Sequence, residues 1–369
     1  MIIVQDNVVN DIEYDLSKIT DKNKIIYFDI ETTGFSRKYN HVYLIGCMFY
    51  KDDCLNCVQY FAENKEDEKN ILKEFHTLLQ KYTTVIHFNG ASFDMPFVVE
   101  RGKKYGIEFD FSKFESIDIY KSAKPFAKLF DMDNTKQKSF ELLMNITRKD
   151  PYNGGQLIDI YNKYTETEDQ NLLSPLLLHN LEDVIYMGTL TSLLSFNDLM
   201  EGSYDIESFD ISTQRDINSN QFRELQITIY LNNSLGLKHS IKNDSYYISI
   251  NNKKIYISVP STNCELKYFF PNYKDYYYLP NEDMAVHKSV SAYVDKNYRE
   301  KATPQNCYVK RVMDFIPVFN YTESAFGELF KDDVKNKNSY INIDNINNSN
   351  IADYVKIIIN ANMQFIKPR

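Results

Sequence analysis

Tryptophan is absent from this chain, and its 369 residues include just 11 glycines, 10 prolines and five cysteines. So little glycine and proline excludes a collagen-like or low-complexity protein. Five cysteines are too few for a disulfide scaffold, and Cys54 and Cys57 form a lone C-x-x-C with no second pair to complete a zinc site. They read as ordinary strand or turn residues. No apolar run approaches the roughly 20 residues that span a bilayer. The opening ten residues are too short in apolar length for a secretory leader and soon meet acids. A protein of the reducing cytosol, off the membrane, is expected. Basic excess is lacking too. The formal net charge is −9; residues 1–200 hold 22 basic against 31 acidic side chains, and residues 201–369 hold 20 of each. The acidity therefore belongs to the first half, where clustered acids are candidate metal ligands. Nucleic acid remains a possible partner, because binding it requires only a local basic track.

What is plentiful is Tyr (29) and Phe (24) on an otherwise ordinary globular composition, 43% hydrophobic and 25% charged. Residues 25–30, 42–50 and 57–62 read as strands close enough in sequence for antiparallel hairpins. Residues 66–82 form an amphipathic helix with Ile71, Leu72, Phe75, Leu78 and Leu79 on one face. Strands follow at 85–88 and 116–120. Helical patterns occur after Phe93, around 121–130, 139–147 and 155–164, and along 172–194. Strands first, then alternation with helices, predicts a mixed α/β sheet covered by helices. Residues 197–216 lack periodicity and are read as a linker of about that extent. Beyond it, 246–259 predicts a hairpin, 273–280 and 307–319 predict strands, and 284–302 a helix. Two domains result: residues 1–196, and a C-terminal α+β domain of unknown type over 217–369.

Three acid-bearing segments follow one another. YFDIETTG (27–34) ends an apolar strand with Asp29 and Glu31, which period-two alternation places on one face. Two such acids entering a core need a cation between them. HFNGASFDMPF (87–97) contains Asp94, which alone would read as a helix cap ahead of Pro96. HNLEDV (179–184) places His179 and Asp183 four apart, on one face of a helix. Each has a bland reading by itself. Together, four carboxylates are what two divalent cations, Mg²⁺ or Mn²⁺, require, and such a pair suits in-line displacement at phosphorus.

This ordered set resembles the DEDD, or DnaQ-like, 3′–5′ exonuclease superfamily with its ribonuclease H-like fold. More narrowly it resembles the YprB-like group, related to the exonuclease domain of family B DNA polymerases. The resemblance covers roughly residues 24–194. It implies that Asp29, Glu31, Asp94 and Asp183 bind two metals. It also implies that a fifth residue, four before the last acid, orients or deprotonates the attacking water. That position holds His179, although the family's tyrosine branch has this spacing and its histidine branch has one residue more. A histidine is chemically suited to accept the proton. The resemblance also places Thr32, Thr33 and Gly34 near the terminal nucleotide. Asn89 either bonds substrate or starts a turn, and Phe93 either stacks on a base or packs in the core. Basic residues from Lys103 to Lys149, including Lys128, Lys136, Lys138 and Arg148, either grip phosphates or form a solvated face. The expected function is a metal-dependent 3′–5′ exonuclease on single-stranded DNA or RNA. The alternative is a catalytically idle ribonuclease H-like module that binds nucleic acid or a protein partner.

Overall fold

The computed structural model describes residues 1–8, 12–127, 129–319 and 325–363; Lys128 lies outside them. The chain divides into two compact units, residues 1–199 with 232–238, and residues 200–231 with 239–369.

The first unit is built on a six-stranded sheet of β1 (Ile2–Asn7), β2 (Ile25–Thr32), β3 (Val42–Lys51), β4 (Cys54–Phe61), β5 (Thr84–His87) and β6 (Glu115–Asp118). The order is β1-β4-β3-β2-β5-β6. β2 to β4 pair antiparallel, as their short connections dictate, whereas β2, β5 and β6 are parallel and need helical crossovers. The β-branched and aromatic run Ile25 to Phe28 is buried on both faces, which is what a central strand requires. β5 pairs with β2 only along Ile25–Tyr27, so Asp29 and Glu31 lie beyond that parallel ladder. The β2–β3 register shifts between Glu31 and Thr32, an irregularity of the kind that re-aims side chains at a strand end.

The crossover helices are α1 (Glu68–Leu79) and α2 (Asp94–Tyr105), followed by α3 (Ile119–Ala123), α4 (Gln137–Leu143), α5 (Gly154–Thr167) and α6 (Gln170–Leu190). The apolar face expected for residues 66–82 is the buried face of α1. α6 reaches β3 closely because Gly46 has no side chain: a Cβ there would collide with Asn180 and Val184. Cys54 and Cys57 both lie on β4, unbridged.

Residues 197–216 differ from the expected linker. They hold the end of α7 (Ser195–Glu201) and then β7 (Tyr204–Arg215), a long strand whose acidic and Ser-rich alternation is that of an exposed strand. The segment 232–238 returns to the first unit. There Leu235 and Leu237 are buried, Ser195 donates to the Ser234 carbonyl, and Asn233 donates to Asp198.

In the second unit, β7, β8 (Gln221–Leu231), β9 (Lys238–Lys242), β10 (Tyr247–Asn251) and β11 (Lys254–Pro260) form a sheet in the order β7-β8-β11-β10-β9. The hairpin expected at 246–259 is β10–β11, closed by Asn252 and Lys253 with Asn252 at φ 55°. A closed barrel follows, ordered β12-β16-β18-β17, from β12 (Thr262–Phe269), β16 (Tyr308–Val318), β17 (Phe330–Lys331) and β18 (Ser339–Asn342). A three-stranded sheet joins β13 (Tyr276–Leu279), β14 (Met284–His287) and β15 (Glu300–Lys301). The helix expected at 284–302 is therefore not formed: its apolar positions alternate as β14 and then meet short 3₁₀ turns. α8 (Ile351–Met363) follows the barrel.

Candidate active site

β2 carries two acids to one place because its side chains alternate. Phe28, Ile30 and Thr32 are buried, while Asp29 and Glu31 are half-buried on the opposite face. α6 lies against that face. Its Asn180 donates to Asp29 Oδ2 at 3.0 Å and is itself held through its amide oxygen by Gln59. One residue earlier on α6, His179 Nε2 stands 3.5 Å from Glu31 Oε1. One turn later, Asp183 Oδ2 is 3.3 Å from the same nitrogen. These three ligand atoms lie within 4.8 Å of one another.

Asp94 enters from α2. It does not cap that helix: Phe93 is the N-cap, without a side-chain bond, and Asp94 Oδ1 instead accepts from the Ile30 N–H at 3.2 Å. The second acid segment is thereby tied to the strand of the first. Asp29, Asp94 and Asp183 line one cleft of about 590 Å³ together with Asn89, Phe93, Tyr120, Lys136 and Gln137.

Burial pushes the Asp29 carboxyl well above its ordinary range, and Asp183, Asp94 and Glu31 push it further. Glu31 is raised for the same reasons, by burial and then by Asp183 and Asp94. Burial raises Asp94 to about 7; its backbone N–H bonds oppose this, and Asp183 adds to it. Like charges this close are tolerable once a divalent cation takes the place of the missing protons. The carboxylate oxygens are a fitting donor set for Mg²⁺ or Mn²⁺, with the His179 imidazole beside them.

The other expected residues are placed as follows. Thr32 is buried, and its hydroxyl donates to the Gly34 carbonyl. Thr33 bonds His41, and Gly34, at φ 147°, turns the chain against the Asn40 side chain. These three shape the loop that leaves β2. Asn89, at φ 63°, turns the chain after β5 and also lines the cleft; Phe93 both lines the cleft and lies against Phe97.

Several residues of this site carried no motif signal. Glu182, between His179 and Asp183 on α6, accepts from the backbone N–H groups of both Lys149 and Asp150, which pins the loop after α4. That loop delivers Arg148, which pairs bidentately with Glu141 and stands 2.5 Å from Asp183 Oδ1. It also delivers Asp150, whose Oδ2 is 2.6 Å from His179 Nδ1 and 2.8 Å from Lys138 Nζ. Arg148 and Lys138, read either as phosphate contacts or as part of a solvated face, are instead paired with acids. Lys136 lines the cleft, and Lys124 sits over the ring of Tyr120, another lining residue. The run of basic residues from 148 to 149 ending in Asp150 was the one available hint, and it reads equally as a solvated turn.

Residues 26–195 match the model of the RNase_H superfamily. Among solved structures, the chain is similar to the family B DNA polymerase of the archaeon Pyrobaculum calidifontis (16% identity, 48% of this chain and 25% of that one, TM-score 0.37). It is also similar to exonuclease I (9% identity, 56% and 54%, TM-score 0.33). A third likeness is to E. coli exonuclease I in complex with a dT13 oligonucleotide (8% identity, 56% and 54%, TM-score 0.33). The chain spans a quarter of the polymerase and about half of exonuclease I. No curated protein matches it. No helix among the described residues is long and apolar enough to cross a membrane.

Proposed function

We propose that the ribonuclease H superfamily segment is a metal-dependent 3′–5′ exonuclease that hydrolyses single-stranded DNA or RNA. The observation that carries this reading is the convergence of Asp29, Glu31, Asp94 and Asp183, from β2, α2 and α6, with Asp29, Glu31 and Asp94 raised by burial and then by the neighbouring carboxylates. Acids crowded in a partly buried cleft with one guanidinium among them cost stability, and cation binding is the use that offsets that cost.

Two divalent cations, which Asp29, Glu31, Asp94 and Asp183 would hold, would supply Lewis acidity for phosphodiester hydrolysis. The chain's own residues do the rest. His179, fixed on α6 between Glu31 and Asp183, takes the proton of the attacking water at Nε2 and later returns it to solvent. The water oxygen bonds to phosphorus, the bond to the 3′ oxygen of the preceding nucleotide breaks, and that oxygen takes a proton from solvent. The products are a nucleoside 5′-monophosphate and a chain one residue shorter. Asn89 and Phe93 line the cleft where the terminal nucleotide sits, and Lys136 and Lys124 face its phosphates. Thr32, Thr33 and Gly34 act through the backbone of their loop. The two units serve as nuclease domain and accessory domain, and the five unbridged cysteines suit the reducing cytosol.

A second reading has one observation in its favour: Arg148 already neutralises Asp183, as it would in an idle module that binds nucleic acid without cutting. Single-stranded DNA and RNA labelled at either end, incubated with Mg²⁺ or Mn²⁺, decide between them. Stepwise loss from the 3′ end with release of 5′-mononucleotides is expected. Binding without hydrolysis under both metals favours the idle module, and loss from the 5′ end refutes the polarity.

A further inference from the structure

We infer that Asp150 is the positioning residue for His179, fixing the ring's proton on Nδ1 so that Nε2 faces the acid cluster. The inference rests on the nuclease reading for its kinetic consequence, but its structural half stands alone. Asp150 belongs to none of the acid-bearing segments and lies 29 residues before His179. Its side chain is fully buried and completely engaged. Oδ1 accepts the Tyr152 N–H at 2.9 Å; Oδ2 accepts from Lys138 Nζ at 2.8 Å and lies 2.6 Å from His179 Nδ1.

Lys138 Nζ and the Tyr152 N–H can only donate. Against the cost of burial, Lys138, the Tyr152 N–H and His179 together hold the Asp150 carboxyl below its ordinary value. An ionised carboxylate has no proton to offer, so the hydrogen in the 2.6 Å contact belongs to His179 Nδ1. The neutral ring then has its lone pair on Nε2, the atom between Glu31 Oε1 and Asp183 Oδ2. As Nε2 takes a proton, the positive charge that develops on the ring is met by Asp150 on the far side. Lys138 also donates to the Tyr152 carbonyl at 2.7 Å, and Glu182 binds the Asp150 N–H. The carboxylate is thus fixed from three directions, as precise orientation of a catalytic base demands.

Asp150→Asn is the informative variant, because the amide cannot satisfy this setting. Its NH₂ group must face either the Lys138 ammonium or the Tyr152 N–H, and neither accepts. Turnover should fall roughly a hundredfold or more, within the range of a lost general base. KM and Mn²⁺ affinity, read by calorimetry, should hold within about threefold, because Asp150 touches neither substrate nor cation in this account. In a His179→Ala background the same change should have no further effect on turnover, which a merely structural role would not produce. Independently of activity, ¹⁵N shifts of the neutral His179 ring should report Nδ1–H in the unmodified protein. An Nε2–H ring there, an unchanged kcat in Asp150→Asn, or additive losses in the double variant would overturn the inference. If no nuclease activity exists, the ring shifts still decide where the proton lies.

Discussion

Glu68 and Asp94 are both buried acids of the first unit, yet their surroundings have opposite signs. Glu68, wholly buried on α1, receives Arg101 Nε at 2.7 Å and Nη2 at 2.5 Å, the Tyr105 hydroxyl at 2.7 Å and the Val42 N–H at 2.9 Å. Every lone pair is used by a donor, and the charge is matched by a bidentate guanidinium. Asp94, buried at the start of α2, has one N–H from β2, and its charged neighbours across the cleft are Asp29 and Asp183. The first arrangement closes a packing problem. The second leaves one open, at a cleft, where a cation can resolve it. A buried acid therefore says little by itself; its partners separate a structural role from a chemical one.

The largest effect is expected at Asp29. Asp29→Asn removes a charged group, the proposed metal ligand, without removing volume, and turnover should drop by roughly ten-thousandfold or more, since metal ions contribute several kcal/mol of transition-state stabilisation. The metal-free variant should melt no lower than the unmodified protein, because a repulsive charge has gone. Single-turnover assays at saturating Mg²⁺ and a thermal melt in chelator check both; wild-type turnover sinks the assignment. His179→Ala comes next, with turnover lowered by about a hundredfold to ten-thousandfold and Mg²⁺ binding little changed. His179→Tyr should retain more activity than Ala, since tyrosine at this spacing can still orient water. Equal rates for Ala and unmodified protein would reduce His179 to a helix residue.

At the closed cluster the expected loss is in stability. Arg101→Met leaves Glu68 charged and buried, which should cost about 3–5 kcal/mol, the usual penalty for an orphaned buried charge. Chemical denaturation measures it, and a loss under about 1 kcal/mol would mean that the pair contributes as weakly as a surface one. The smallest effect is a pH dependence that only the open cluster should show. Asp29, Glu31 and Asp94 are raised in the fold, so the metal-free protein binds more protons folded than unfolded. That contribution is complete below the unfolded value, near pH 4 for a carboxyl, and is lost as pH rises through the folded one, about 7 for Asp94. Melting temperature in chelator should fall across this window. Added Mg²⁺ should flatten the fall, and Asp29→Asn should reduce its slope. A metal-free melting temperature that rises from pH 4 to 7 would contradict the crowding.

Much of this was readable along the chain. The alternation in β2 placed Asp29 and Glu31 on one face, the four-residue spacing placed His179 beside Asp183, and the amphipathic run over 66–82 became α1. These are local periodicities, and the backbone enforces them wherever the segment lies. The linker and the 284–302 helix were misread for a related reason. An exposed strand such as β7 gives a polar alternation that resembles a loop, and the short runs around β14 match helical spacing until their partners in β13 are known. Glu182 has no local signature, and the basic pair before Asp150 reads equally as a solvated turn, because the roles of Asp150 and Arg148 depend on a loop held against α6 by Glu182.

Which acids can share a face, and that a histidine stands one helical turn from the last of them, follows from the order of residues alone, because strand and helix periods are properties of the backbone. Tertiary structure alone decided that the three segments meet, since β2, α2 and α6 are brought together by the Ile30–Asp94 bond and by the approach that Gly46 allows. It also decided that Asp150, rather than a residue near the motifs, takes the far side of the imidazole. Hydrogen bonding between residues 29 apart follows from how the chain packs, and no spacing rule along the sequence encodes it.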